Sequence, residues 1–114
     1  MIPMEPRERA STRFRRLMEQ RPLIVLGAYN PMTAKIVQQA GLSAVYMTGY
    51  GTSLSLLGLP DAGFATASEV LFNARNMANA VDIPVIADAD NGYGNAINVI
   101  RTVRDYIQTG VAGI

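Results

Sequence analysis

Short apolar runs alternate with amphipathic stretches along most of this chain, and that alternation leaves few folds open. Leu23-Ile24-Val25-Leu26-Gly27-Ala28-Tyr29 is continuously apolar, the pattern of a strand buried on both faces. Ser43-Ala44-Val45-Tyr46-Met47-Thr48 and Ile83-Pro84-Val85-Ile86-Ala87 read as two further strands, and Val111-Ala112-Gly113-Ile114 as the start of a fourth. Helices fill the gaps. Asn30 caps one, with Pro31 at its first position, Met32, Ile36, Val37 and Ala40 as its buried stripe, and Gly41 as its stop. Thr66 and Glu69 form a capping box for a helix over 67–80 that buries Val70, Leu71, Ala74, Met77 and Ala78. Asn95 caps a third helix, with Ile97, Ile100, Val103 and Ile107 on one face and Gly110 at its end. Arg101, Arg104 and Asp105 fall on its outer side. Strands alternating with helices in this way predict an α/β fold with a parallel sheet and right-handed crossovers.

Ahead of the first strand, residues 1–22 form an extension. Pro3 and Pro6 break the chain, and Ser11 caps a short helix over 12–20. Phe14, Leu17 and Met18 share one side of that helix, while Arg13, Arg15, Arg16 and Glu19 face outward. Six of the ten basic residues lie in 1–21, interleaved with Glu5, Glu8 and Glu19. Such a mixture is the solvated face of a helix rather than a nucleic-acid arm, and a net charge of +1 gives no long-range steering toward nucleic acid or anionic membrane. No apolar run approaches the roughly 20 residues of a membrane span, and the N-terminus lacks the apolar core of a signal peptide.

Residues 23–114 are expected to form one incomplete domain. Four strands and three crossover helices make about half of a (β/α)₈ barrel, which ordinarily takes about 250 residues. The chain stops inside its fourth strand, at Ile114. The first expectation is therefore the N-terminal half of such a barrel, truncated in strand four. A small open parallel sheet is the alternative.

In both architectures ligands gather at the C-terminal ends of the strands. The third run ends in Asp88-Ala89-Asp90, followed by Asn91-Gly92-Tyr93-Gly94. Strand side chains two apart share a face, so Asp88 and Asp90 would converge there. They are either polar residues closing a strand or ligands for a hard cation. The chain has no cysteine and no histidine, which removes thiolate and imidazole chemistry. Any metal site must then use oxygen donors, which suit magnesium, manganese or calcium. The lack of cysteine also fits a cytoplasmic setting. After the second strand, Thr48-Gly49-Tyr50-Gly51 offers backbone N–H groups that could hold a carboxylate or phosphate, although in isolation it is an ordinary strand-to-loop turn. Residues 49–65 read as a long loop, of a length that usually carries function or mobility. Within it, Asp61 alone reads as a turn residue. The chain has no dinucleotide fingerprint, Walker A run or nucleophile elbow.

Three segments together carry a resemblance. Tyr46-x-Thr48-Gly49-x-Gly51, Leu57-Gly58-Leu59-Pro60-Asp61 and Asp88-Ala89-Asp90-Asn91-Gly92-Tyr93-Gly94 resemble the isocitrate lyase and phosphoenolpyruvate mutase superfamily, nearest to its methylisocitrate lyase-like and oxaloacetate decarboxylase-like members. The resemblance runs from about Leu23 to Ile114. It implies a (β/α)₈ barrel in a homotetramer. It implies Mg2+, with Mn2+ as a substitute, near Asp88 and Asp90, and Asp61 close by through water. It implies that Thr48, Gly49 and Tyr50 bind the carboxylate end of a small 2-oxo acid, with Tyr46 in the same pocket. Lyases of the family commonly carry Ser-Gly-Gly where this chain has Thr48-Gly49-Tyr50, which changes the pocket's size. The family's next elements are an H-I-E-D segment and a loop supplying the acid/base cysteine, and neither lies within these 114 residues.

The function implied is a carbon–carbon bond lyase that releases a 2-oxo acid through a metal-stabilised enolate. A C–P bond phosphonomutase is the alternative enzyme. A non-catalytic half-barrel, self-associating through its open sheet edge, is the alternative outside enzymes.

Overall fold

A computed structural model describes residues 7–20 and 22–114. The expected breaks at Pro3 and Pro6 lie outside the described residues. In chain order the elements are α1 (Ala10–Met18), β1 (Leu26–Ala28), α2 (Pro31–Gln39), β2 (Val45–Met47), α3 (Gly49–Leu57), α4 (Ala67–Ala80), β3 (Val85–Ala87) and α5 (Ala96–Thr109). The strands form one parallel sheet in the order β1-β2-β3. A fourth strand begins beside β3. Gly113 bridges Ile86, Ala112 N–H donates to the Val85 carbonyl at 2.7 Å, and Ala87 N–H donates to the Gly113 carbonyl at 3.0 Å.

Register and alternation divide the sheet into two faces. Ala28, Met47 and Ala87 are aligned across it, and Val45 is aligned with Val85. All five are buried and pack in one core with Ala34 and Val37 of α2, Val70, Ala74 and Met77 of α4, and Tyr106 of α5. The alternate residues, Gly27, Tyr46 and Ile86, form the aligned row on the other face, which no helix covers among the described residues. Continuing that row by two residues brings Thr48 and Asp88 to the C-terminal edge on the same side. The sheet therefore has one apolar face that builds the core and one polar-ended face that builds a site.

Four expectations from the sequence need correction. The run at 23–29 is not a strand buried on both faces. Only Leu26–Ala28 pair, and Ile24 and Leu26 are 63% and 47% exposed, because β1 is an edge strand with one neighbour. In α2 the buried residues are Ala34 and Val37, whereas Met32, Ile36 and Ala40 are exposed. Residues 49–57 are not loop but α3, capped by Thr48 and ended by Gly58 in the left-handed region (φ 63°). In α5 the stripe Ile97, Ile100, Val103 and Ile107 is turned away from the core, and Thr102, Tyr106 and Thr109 are buried instead. The polar loop after β3 sets that choice, since Thr102 and Tyr106 both bond to it.

The expected capping at Asn30, Thr66 and Asn95 is present, each as a reciprocal box, and Gly110 ends α5. α1 starts two residues earlier than expected, at Ala10, without a side-chain cap, and Ser11 lies inside it. Arg13 does not simply face solvent, because its guanidinium donates to the Asp82 carbonyl. Arg101 and Asp105 pair along α5 at 3.7 Å, an exposed contact of little energetic weight. Among the described residues no helix is long and apolar enough to cross a membrane.

Candidate active site at the strand C-termini

β3 delivers Asp88 to the site. Its N–H extends the sheet ladder by one bond, to the Met47 carbonyl at 3.1 Å. Its carboxylate accepts two hydrogen bonds, from the Tyr46 phenol at 3.0 Å (Oδ2) and from the Asp90 N–H at 2.7 Å (Oδ1). An ionised carboxylate offers about four lone-pair sites, so roughly two remain for a ligand. Asp90 is not placed by strand alternation. β3 has ended, and Asp90 takes a left-handed φ of 50°, with an exposed side chain. Strand alternation therefore accounts for the place of Asp88 at this edge but not for that of Asp90.

β2 delivers Tyr46 and the start of α3. Thr48 Oγ1 accepts from Gly51 N–H at 3.1 Å, and its carbonyl accepts from Thr52 N–H at 2.9 Å. Gly49 and Tyr50 N–H find no protein acceptor among the described residues, as the first turn of a helix dictates. The predicted glycine turn is thus a helix N-terminus, with the partial positive charge that implies. Gly49 lies so close to Asp88 that a β-carbon there would sit 2.6 Å from Oδ2. Tyr50 is 60% exposed at the rim.

Asp61 lies in the exposed segment between α3 and α4. Its charge reaches Tyr46 and Tyr93. Among the described residues no three acidic side chains are grouped closely enough to hold an ion, so Asp61, Asp88 and Asp90 do not form one ligand cluster. A cavity of about 350 Å³ opens beside the loop, bounded by Tyr46, Asp88, Asp90, Asn91, Thr102 and Val103.

Three residues that the sequence reading passed over hold this edge together. Asn73, 4% exposed on α4, donates to the Tyr29 carbonyl at 2.9 Å and to Thr52 Oγ1 at 3.2 Å, tying β1 to α3. Thr102 and Tyr106 tie α5 to the loop after β3. The signal was available as polar residues spaced 102, 106, 109 on one helical face. The bulkier isoleucine stripe masked it.

Burial raises the Tyr46 pKa first, and its hydrogen bond to Asp88 and the charges of Asp88 and Asp61 add to this. Burial also raises Tyr93, with the neighbouring Tyr106 phenol partly offsetting it and the Asp90, Asp88 and Asp61 charges reinforcing it. Tyr106 is raised most, by burial, by Tyr93 and by Asp88. The folded chain thus binds these three phenolic protons more tightly than the unfolded chain does. Their contribution to stability is complete below the unfolded value of about 10 and is lost as pH rises through the folded values. Urea midpoints followed from about pH 8 to about pH 11 should therefore fall steeply above about pH 10. Replacing all three tyrosines by phenylalanine should flatten that fall.

Parallel strands covered by helices on one face, with polar residues collected at the strand C-termini on the other, form a candidate site where parallel α/β folds gather ligands. The sequence matches the phosphoenolpyruvate phosphomutase family over residues 14–114, and the chain belongs to that family. It is 49% identical over 105 residues to the 2,3-dimethylmalate lyase of Eubacterium barkeri, covering 91% of this chain and 36% of the relative. It is 48% identical over 112 residues to the chloroplastic carboxyvinyl-carboxyphosphonate phosphorylmutase of Arabidopsis thaliana, covering 96% and 33%. Among solved structures, a 2,3-dimethylmalate lyase superposes with a TM-score of 0.85 at 42% identity, over 94% of this chain and 39% of that one. A phosphonopyruvate hydrolase solved with oxalate and Mg++ superposes at 0.85 and 35% identity, over 91% and 37%. The sheet corresponds to the N-terminal part of the family's barrel. The chain spans about a third of the length of the curated relatives it matches.

Proposed function

We propose that the whole protein is a magnesium-dependent carbon–carbon lyase that releases a 2-oxo acid from a small carboxylic acid. The observation that carries this reading is the Asp88 carboxylate. It is held by Tyr46 and by the Asp90 N–H, against the first turn of α3. Similarity to a dimethylmalate lyase supports the reaction class, and the phosphonopyruvate hydrolase structure with oxalate and Mg++ supports the metal.

The donor set fits a hard cation. Asp88 keeps free lone pairs, Asp90 is solvent-facing, and magnesium needs only one or two protein carboxylates because it retains water. Asp88 and Asp90 would hold it, with Asp61 reaching it through water. When bound, the ion supplies Lewis-acid polarisation of a substrate oxygen. The chain's own residues do the positioning. Gly49 and Tyr50 N–H groups bind the substrate carboxylate at the helix N-terminus. Tyr46, kept neutral by burial and by Asp88, donates to the Asp88 carboxylate and cannot serve as a base near neutral pH. The chain has no cysteine or histidine, so the proton donor in this reading belongs to the remainder of the whole protein.

A phosphonomutase is the second reading, favoured by the family match and by the Arabidopsis relative. The test is to assay the whole protein with 2,3-dimethylmalate, 2-methylisocitrate and oxaloacetate, trapping any 2-oxo acid product, in parallel with phosphonopyruvate followed by phosphorus NMR. Lyase turnover that stops with a chelator and returns with Mg2+ is the expected result. Conversion of the phosphonate alone selects the mutase, and turnover indifferent to chelation overturns the metal assignment.

A further inference from the structure

The loop that carries Asp88 and Asp90 is tied down from behind by α5. Tyr106, 1% exposed, donates its phenol to the main-chain carbonyl of Asp88 at 3.1 Å. One helical turn earlier, Thr102 donates its hydroxyl to the Gly92 carbonyl at 2.8 Å. Residues four apart share a helix face, so the two bonds act as one clamp. They straddle Asp90, one bond two residues before it and the other two residues after.

The segment between and beyond them is unusual. Asp90, Gly92 and Tyr93 all take positive φ, at 50°, 90° and 61°. Non-glycine residues hold such angles only when their surroundings over-determine them. Gly92 is packed against Val99 of α5, where a β-carbon would meet Cγ2 at 2.5 Å. Tyr93 packs beside Tyr106. A single face of α5 thus holds this loop from outside, beside the loop's own bonds from Asp90 N–H to Asp88 and from Tyr93 N–H to Asn91. The clamp also explains a choice of side chain. Position 106 is buried among apolar residues that phenylalanine would fill equally well, so its hydroxyl serves the Asp88 carbonyl and the neighbouring Tyr93 phenol.

We propose that Tyr106 and Thr102 are positioning residues, which fix the main chain from Asp88 to Gly92 so that the two carboxylates stay preorganised for a divalent cation. Neither touches the carboxylates themselves. The inference rests on the metal reading above, and its effect is on affinity, because an ordered loop has less freedom to lose on binding.

The probe is Mn2+ alone, titrated into the whole protein and followed by the electron paramagnetic resonance of the free ion. Tyr106→Phe keeps the ring and removes the hydroxyl, and Thr102→Val keeps the shape. Each is expected to weaken Mn2+ about tenfold or more, as loss of outer-shell partners does, while the urea midpoint falls by no more than the loss of one hydrogen bond. Amide hydrogen exchange in the metal-free chain is the second measurement. Asp90 N–H should lose protection in Tyr106→Phe, while Tyr46 N–H in β2 keeps its own. Asp88→Asn is the control. If it abolishes Mn2+ binding and the α5 variants leave affinity unchanged, the clamp is overturned and the metal reading stands. If Asp88→Asn has no effect, or the whole protein takes no Mn2+, the metal reading falls, and unchanged exchange at Asp90 then overturns the clamp as well.

Discussion

Asp88→Asn in the whole protein should lower Mg2+-dependent turnover by at least about a hundredfold while leaving the fold intact. Asparagine has the same shape. Its oxygen still accepts from Asp90 N–H, and its amide can face Tyr46 once the phenol rotates to accept. The structural cost is then that of perturbing one hydrogen bond, about 0.5–1.5 kcal/mol. The chemical cost is larger, because Lewis-acid stabilisation is worth several kcal/mol and each ~1.4 kcal/mol is tenfold in rate. Loss of activity should therefore far exceed loss of stability. A second readout needs no turnover. Asp88 is one reason that the Tyr46 pKa is raised, by its hydrogen bond and by its charge. In Asp88→Asn the phenol should titrate lower, nearer its ordinary value, with burial still holding it above. Turnover within a few-fold of the unmodified protein at saturating Mg2+ would sink the assignment, whatever Tyr46 does.

The fold was legible wherever local rules and tertiary packing agree. The capping boxes at Asn30, Thr66 and Asn95 are reciprocal hydrogen bonds within four residues, so the sequence contains their whole cause. The parallel order followed from strand–helix alternation for the same reason. α3 was hidden because Gly49, Gly51 and the serines lower helix propensity, while the features that make it a helix, the Thr48 cap and the left-handed Gly58, were read as loop chemistry. The faces of α2 and α5 were misjudged on a different ground. Periodicity finds an apolar stripe but not what the stripe meets. In α5 the core side is chosen by hydrogen bonds to a loop ten or more residues away, from Thr102 to Gly92 and from Tyr106 to Asp88. At the site, composition limited any metal to oxygen donors, and the end of the third apolar run placed Asp88 at the sheet's C-terminal edge. The left-handed turn at Asp90 and the separation of Asp61 are properties of three-dimensional loop paths.

Gly49→Ala should damage the same site from the opposite side. Gly49 is the first residue of α3, and its φ is not in the left-handed region, so alanine suits its backbone. On propensity alone the change would stabilise the helix by up to about 1 kcal/mol. Sterics oppose it. The new β-carbon would lie 2.6 Å from Asp88 Oδ2 and 2.8 Å from its Cγ, distances that force something to move. Asp88 cannot step aside without losing Tyr46 or Asp90, and its N–H is in the sheet. α3 cannot retreat easily either, since Thr52 is held by the Thr48 carbonyl and by Asn73. Overpacking of this kind costs about 1–3 kcal/mol, so the net result should be a loss of stability despite the better helix former. Gly113→Ala is the matched control, because a β-carbon there meets nothing within 4 Å and no positive φ is involved. Urea denaturation of the two variants measures the steric cost, and the Tyr46 titration reports whether Asp88 has been displaced from its phenol. If Gly49→Ala is as stable as Gly113→Ala and Tyr46 titrates unchanged, the contact between α3 and Asp88 is slack. The bare α-carbon at position 49 then has no role in bringing the helix N-terminus up to the carboxylate. If stability falls and Tyr46 moves down together, glycine is required there because the site needs the two to touch.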